Sequence, residues 1–153
     1  MSTDYITVTD APDTAPWLIM VYGMTQDHQV FSSQVVAFKE QYRILLIDLP
    51  GHGLSTYVPG PYGHVEMMEH VRRIWDQAAI GPAHFWATHK GTAVGLLLAV
   101  QEPKRFRSFI LEGAVILGYD MPYVNGTLGQ ACIAARSKGP KTTKGHGSLI
   151  YPT

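Results

Sequence analysis

Seven histidines supply most of the side chains in this sequence that can exchange a proton near neutral pH. One has a distinctive setting. In Ala87-Thr88-His89-Lys90-Gly91 a histidine is flanked two positions away on each side by a small residue. An apolar strand-like run, His84-Phe85-Trp86-Ala87, precedes it and an apolar helix-like run from Thr92 follows. An imidazole there can serve as general base or as nucleophile. The positive end of the following helix would favour its neutral, nucleophilic form. His28, His52, His64 and His70 are read as surface or structural residues, and His146 sits in a Gly-His-Gly context with no strand before it. No pair has the i, i+4 or Cys/His spacing of a zinc site, so no metal is expected. The glycine-rich pieces fit neither G-x-G-x-x-G nor a P-loop, so no nucleotide or other cofactor is implied.

The elements that must position His89 alternate in period. Trp17 to Tyr22 is a short apolar run ended by Gly23, which reads as a buried strand. Residues 30–42 offer a helix with Val30, Phe31, Val35 and Phe38 on one face, and 43–47 form a second apolar strand stopped by Asp48-Leu49-Pro50-Gly51. Residues 65–79 give the clearest amphipathic helix: Met67, Val71, Ile74 and Ala78 recur at helical spacing, while Glu66, Arg73 and Asp76 fall mostly outside that stripe. The helix 92–101 is apolar nearly all round and must be covered on most sides, and Phe109-Ile110-Leu111 is the next strand. Strand and helix in alternation predict an α/β fold, a mostly parallel sheet with helices on both faces. Residues 1–120 are taken as this core, 121–136 as the possible start of a cap or lid helix, and 137–153 as a disordered tail.

Composition narrows the function classes. A chain of 153 residues with 46% apolar residues can build a core. A formal net charge of zero gives no footprint for nucleic acid. The single cysteine, Cys132, cannot form an internal disulfide, which fits a reducing compartment. Residues 1–10 are polar with no basic or apolar leader segment, and the longest apolar run, 93–100, is far short of a membrane span. A soluble cytoplasmic protein with a small-molecule substrate or ligand is expected.

Three motifs between residues 17 and 112 resemble those of the α/β-hydrolase fold superfamily, in the N-terminal part of its core domain. Tyr22-Gly23-Met24 resembles the His-Gly-x oxyanion turn, which implies that the Met24 amide faces the substrate oxygen. Asp48-Leu49-Pro50-Gly51-His52-Gly53-Leu54-Ser55 is similar to the D-x-x-G-x-G-x-S loop. Residues 87–91 occupy the place of the nucleophile elbow, with the Lys90 amide as second oxyanion donor. The resemblance implies hydrolysis of an ester, lactone or similar bond. Here, however, the serine position holds His89, and Thr88 carries a hydroxyl one residue from the apex. Glu112 stands where some members place the triad acid. The triad base follows the last strand in the family, and this sequence stops near the start of a cap.

Three functions remain open on these residues: impaired hydrolysis; a non-catalytic homologue that binds a ligand or partner; and cofactor-free lyase or oxygenase chemistry using His89. Lacking the C-terminal strands of the family, such a truncated sheet would expose an apolar edge at 109–111, a surface that pairs with other chains. The expected outcome is a marginal, self-associating protein in gel filtration and thermal melts; a sharp, cooperative melt of a clean monomer contradicts it.

Overall fold

The two sides of each central strand meet different partners, which explains why their sequences are continuously apolar. The structure is a computed structural model that describes residues 4–55 and 62–115. Its strands are β1 (Tyr5–Val8), β2 (Trp17–Val21), β3 (Arg43–Ile47), β4 (Ala83–Thr88) and β5 (Phe106–Glu112), with helices α1 (Ser32–Phe38), α2 (His64–Gln77) and α3 (Lys90–Gln101). On β2, Ile19 and Val21 pack with α2 and α3, whereas Leu18 and Met20 pack toward Phe31 and α1. Burial of both faces selects apolar residues at every position of the strand.

The sheet order is β1-β3-β2-β4-β5. The pairs β2–β3, β2–β4 and β4–β5 are parallel, and β1 runs antiparallel to β3 with Tyr5 opposite Ile47. Registers of Val21 with Ile47 and Ala87, and of Thr88 with Glu112, align the C-terminal ends of four strands along one edge. Open α/β sheets form their ligand crevice outside such ends.

The amphipathic reading of α2 holds: Met67, Val71 and Ile74 are buried, and Glu66, Arg73 and Asp76 are exposed. Met68, His70 and Trp75 are also buried, which widens the stripe. Trp75 stacks on Phe85 and meets Phe106 edge-on at 5.2 Å, while its indole N–H donates to the Ile80 carbonyl at 3.0 Å. This aromatic group fastens α2 to β4 and β5, each ring pair adding about 1 kcal/mol beyond its buried area.

Two expectations need correction. β1 was not foreseen as a strand. The segment 30–42 becomes a 3₁₀ turn, His28–Phe31, followed by a helix that ends at Phe38; Asp27 caps the turn by accepting the Gln29 amide. The tighter winding eclipses i and i+3 positions, so Val30 leaves the apolar face and is exposed. The helix α3 is covered on most sides, as its apolar surface requires: Gly91 to Gly95 and Leu98 are buried, Leu96, Leu97 and Ala99 are half-buried, and Val100 near its end is 84% exposed. No helix of the described residues is long and apolar enough to cross a membrane. The expected segments 121–136 and 137–153, with Cys132 and His146, lie outside the described residues.

Gly95 lets α3 approach the sheet. A Cβ there would lie 2.4 Å from Phe85 Cε1, and Phe85 is confined by Trp75, Phe106 and Phe109. Gly95→Ala, which would stabilise an exposed helix by up to about 1 kcal/mol, should here destabilise the fold by about 1–3 kcal/mol. A lower urea midpoint at unchanged m-value checks it.

Candidate active site

β4 passes into α3 through a single residue, and that residue is His89. Its φ of 45° and ψ of −118° put it among the few non-glycine residues with positive φ. Such a backbone costs about 1–3 kcal/mol and persists only where its surroundings impose it. Here the His89 N–H donates to the Glu112 carbonyl at 2.8 Å, and the His89 carbonyl accepts the Thr92 amide at 2.9 Å and the Thr92 hydroxyl at 2.5 Å. The first turn of α3 lies directly against the end of β2: a Cβ on Gly91 would come within 2.5 Å of the Val21 carbonyl oxygen and 2.7 Å of that of Tyr22.

Glycines also border the imidazole. A Cβ on Gly23 would sit 2.7 Å from His89 Cβ, and one on Gly113, whose φ is +58°, would sit 3.0 Å from His89 Nδ1 and 3.1 Å from Cε1. The ring therefore stands between two backbones that have no side chain to block it. Its Nε2 tip enters neither close approach, and the residue as a whole is exposed.

Met24 and Lys90 are brought together. The Lys90 ammonium donates to Met24 Sδ at 3.9 Å, across the gap between the end of β2 and the start of α3. Met24 is 46% exposed, and Thr25 after it has a φ of 66°. Thr25 donates its hydroxyl to the Met24 carbonyl at 2.6 Å, and its amide donates to His52 Nε2 at 3.4 Å. Glu112 reaches His89 through its main chain. Its carboxylate instead accepts the Trp86 indole N–H at 2.8 Å, and among the described residues no hydrogen bond joins it to an imidazole.

The Asp48 loop braces the turn after β2 through the His52 bond to Thr25. Asp48 is 1% exposed, and its carboxylate accepts the His28 amide at 2.9 Å, His28 Nδ1–H at 2.8 Å and the Leu54 amide at 2.7 Å. A Cβ on Gly53 would fall 2.1 Å from Asp48 Oδ2, so only glycine lets the loop close on the carboxylate. Tyr22 is buried, its hydroxyl accepts the Leu49 amide at 3.0 Å, and burial with the nearby Asp48 charge pushes its proton affinity far up. It is a neutral structural phenol standing where the family pattern has histidine.

His28, His52 and His70 are structural, as expected. Burial, followed by the Arg73 charge, outweighs the bond to the Asp48 carbonyl and holds His70 below the usual imidazole value. Burial and then the Lys90 charge lower His64 in the same sense. No group of three or more His, Cys, Asp or Glu able to hold a metal occurs among the described residues. An open groove of about 700 Å³, lined by Trp75, Pro82, Glu102 and Arg105 among others, lies at the opposite ends of β4 and β5 and contains none of the candidate residues.

A doubly covered parallel sheet, a strained strand-to-helix residue and an adjacent glycine turn together define an α/β-hydrolase core. The chain belongs to the alpha/beta hydrolase fold family, whose match spans residues 16–130. It is similar to 3-oxoadipate enol-lactonase 1 of Acinetobacter baylyi, 31% identical over 105 residues that make up 69% of this chain and 39% of that protein. Among solved structures it is similar to a hydrolase from Pseudomonas aeruginosa, with a TM-score of 0.74 and 25% identity, covering 91% of this chain and 52% of that one. It also resembles the enol-lactonase from Burkholderia xenovorans, with a TM-score of 0.65 and 27% identity over 69% of this chain and 40% of that one. The chain thus spans between about two fifths and half of the length of these relatives.

Sequence reasoning missed the Trp86–Glu112 bond, because a strand-end carboxylate gives no sign of which neighbour it will meet. It also missed the contact between Gly113 and the imidazole, for which a glycine just past a strand was the only signal. Removing the Asp48 carboxylate would take the acceptor from three part-buried donors. Asp48→Ala should therefore cost about 3 kcal/mol or more in chemical unfolding, whereas an exposed carboxylate such as Asp13 should tolerate alanine within about 0.5 kcal/mol.

Proposed function

We propose that this site hydrolyses a small ester or lactone, with His89 as nucleophile and the Met24 and Lys90 main-chain amides as oxyanion donors. The observation that carries the reading is the retained elbow: a strained His89 whose imidazole stands between Gly23 and Gly113. Strain of this kind at a strand-to-helix turn is a recurring property of catalytic positions. Support comes also from relatives named as enol-lactonases.

In this mechanism the Nε2 lone pair adds to the substrate carbonyl, and the two amides stabilise the oxyanion. Collapse breaks the bond to the alkoxide, which leaves with a proton from solvent, and Nδ1 loses its proton from the acyl-imidazolium. Water then hydrolyses the acyl-imidazole and restores His89. No cofactor enters the sequence. Glu112, held by Trp86, shapes the elbow through its carbonyl and has no proton-transfer step.

A second reading, a homologue that binds a ligand without turnover, is favoured by that same engagement of the Glu112 carboxylate. Under either reading we place the protein in the cytoplasm, with the single cysteine as support. Self-association through β5 belongs to the same proposal. Among the described residues β5 pairs with one strand, β4, and Ile110 on it is 45% exposed.

The test is p-nitrophenyl acetate hydrolysis by wild type beside His89→Ala. The expected result is turnover above background that falls about 100-fold in the variant. Equal rates in the two proteins would overturn the catalytic reading and leave the binding one.

A further inference from the structure

Thr25 is a β-branched residue held at a φ of 66°, immediately after the residue that offers the first oxyanion amide. A β-branched side chain in the left-handed region is a genuine outlier, so some contact must hold it there. Its hydroxyl bond to the Met24 carbonyl is local and does not anchor the turn to the rest of the protein. Its amide reaches across 27 residues to His52 Nε2.

His52 is built to receive that bond. It is 7% exposed, and its ring lies 6.0 Å from that of Tyr22. Its Nδ1 is 2.9 Å from the Pro50 carbonyl oxygen, which can only accept. Nδ1 must therefore carry the proton, and in the neutral ring Nε2 is left as an acceptor. The Thr25 amide can only donate. Both ends of the ring thus agree on one tautomer, with Pro50 setting it and Thr25 using it.

We propose that His52 is a positioning residue: a neutral, Nδ1-protonated imidazole whose Nε2 holds the Thr25 amide, so fixing the Met24–Thr25 peptide plane and, through the Met24 dihedrals, limiting the directions open to the adjoining Gly23–Met24 peptide that carries the Met24 N–H. The aim of that amide rests on the oxyanion role given to Met24 above; the latch itself does not. The loop bearing His52 is in turn fastened by the Leu54 amide on Asp48, so the Thr25 latch is anchored in the loop that closes on that carboxylate.

The experiment compares Thr25 amide hydrogen exchange in the full chain for wild type, His52→Phe and His52→Gln, with a long-range proton–nitrogen correlation reading the imidazole tautomer. His52→Phe keeps the ring and loses the acceptor; His52→Gln offers an amide oxygen near the Nε2 position. We expect Thr25 exchange to rise about tenfold in His52→Phe, to return toward wild type in His52→Gln, and to stay unchanged at core amides such as Ile19. Unchanged Thr25 exchange in a folded His52→Phe overturns the proposal, whether or not the protein hydrolyses esters. Loss of esterase activity to His89→Ala, or its absence throughout, bears on the catalytic reading alone. If His52→Phe does not fold, the wild-type tautomer decides: protonated Nδ1 with a bare Nε2 supports the latch, and a proton on Nε2 overturns it.

Discussion

One buried carboxylate joins more of this molecule than any other group described above. Asp48 leaves the end of β3, and its side chain gathers the His28 and Leu54 amides and the His28 ring. Its main chain extends the reach: its amide donates to the Asp4 carbonyl before β1, and its carbonyl accepts His70 Nε2–H from α2. A carboxylate taken from water to 1% exposure is costly unless every lone pair finds a donor. Satisfying it therefore dictates where the His28 and Leu54 segments go, while the Asp48 main chain ties in Asp4 and α2. The glycine at 53 follows from this, since a side chain there would occupy the volume of the carboxylate itself.

The elbow is the complementary case, in which a costly backbone rather than a costly charge is held in place. His89 is strained, and the compensation is distributed over the Glu112 carbonyl, the Thr92 amide and hydroxyl, and the close seat of Gly91 on β2. None of these contacts uses the imidazole. The side chain is presented by its backbone while its ring takes no part in that support, and the flanking glycines leave room for it.

Much of this was legible because it rests on periodicity and on punctuation. The apolar runs at 17–22 and 43–47, the stripe of α2, and the small residues at 87 and 91 all report directly on burial and close approach. β1 was not legible: four residues, half-buried and partly polar, carry too little pattern to distinguish an edge strand from a tail. The exposure of Val30 depends on a 3₁₀ turn set by the Asp27 cap, a local hydrogen bond that an apolar periodicity does not encode. Within the site, sequence brought His89, Met24, Lys90 and Glu112 to one edge of the sheet. The direction of the Glu112 side chain was decided by Trp86 on the neighbouring strand, and pairings between strands are invisible until register is known.

The strand order also has a kinetic side. β2 supplies Gly23 and Met24, and β4 supplies His89, yet these neighbours in the sheet are separated along the chain by α1, β3 and α2. Their union requires closing a loop of some sixty residues, the kind of late, entropically expensive step that slows folding. Neither half of the site has its shape beforehand: Gly91 finds its seat only on the carbonyls of Val21 and Tyr22, and the imidazole finds its flank only at Gly23. The strained turn therefore comes into being together with the sheet's central pairing, so no partly folded chain lacking that pairing carries a preformed site.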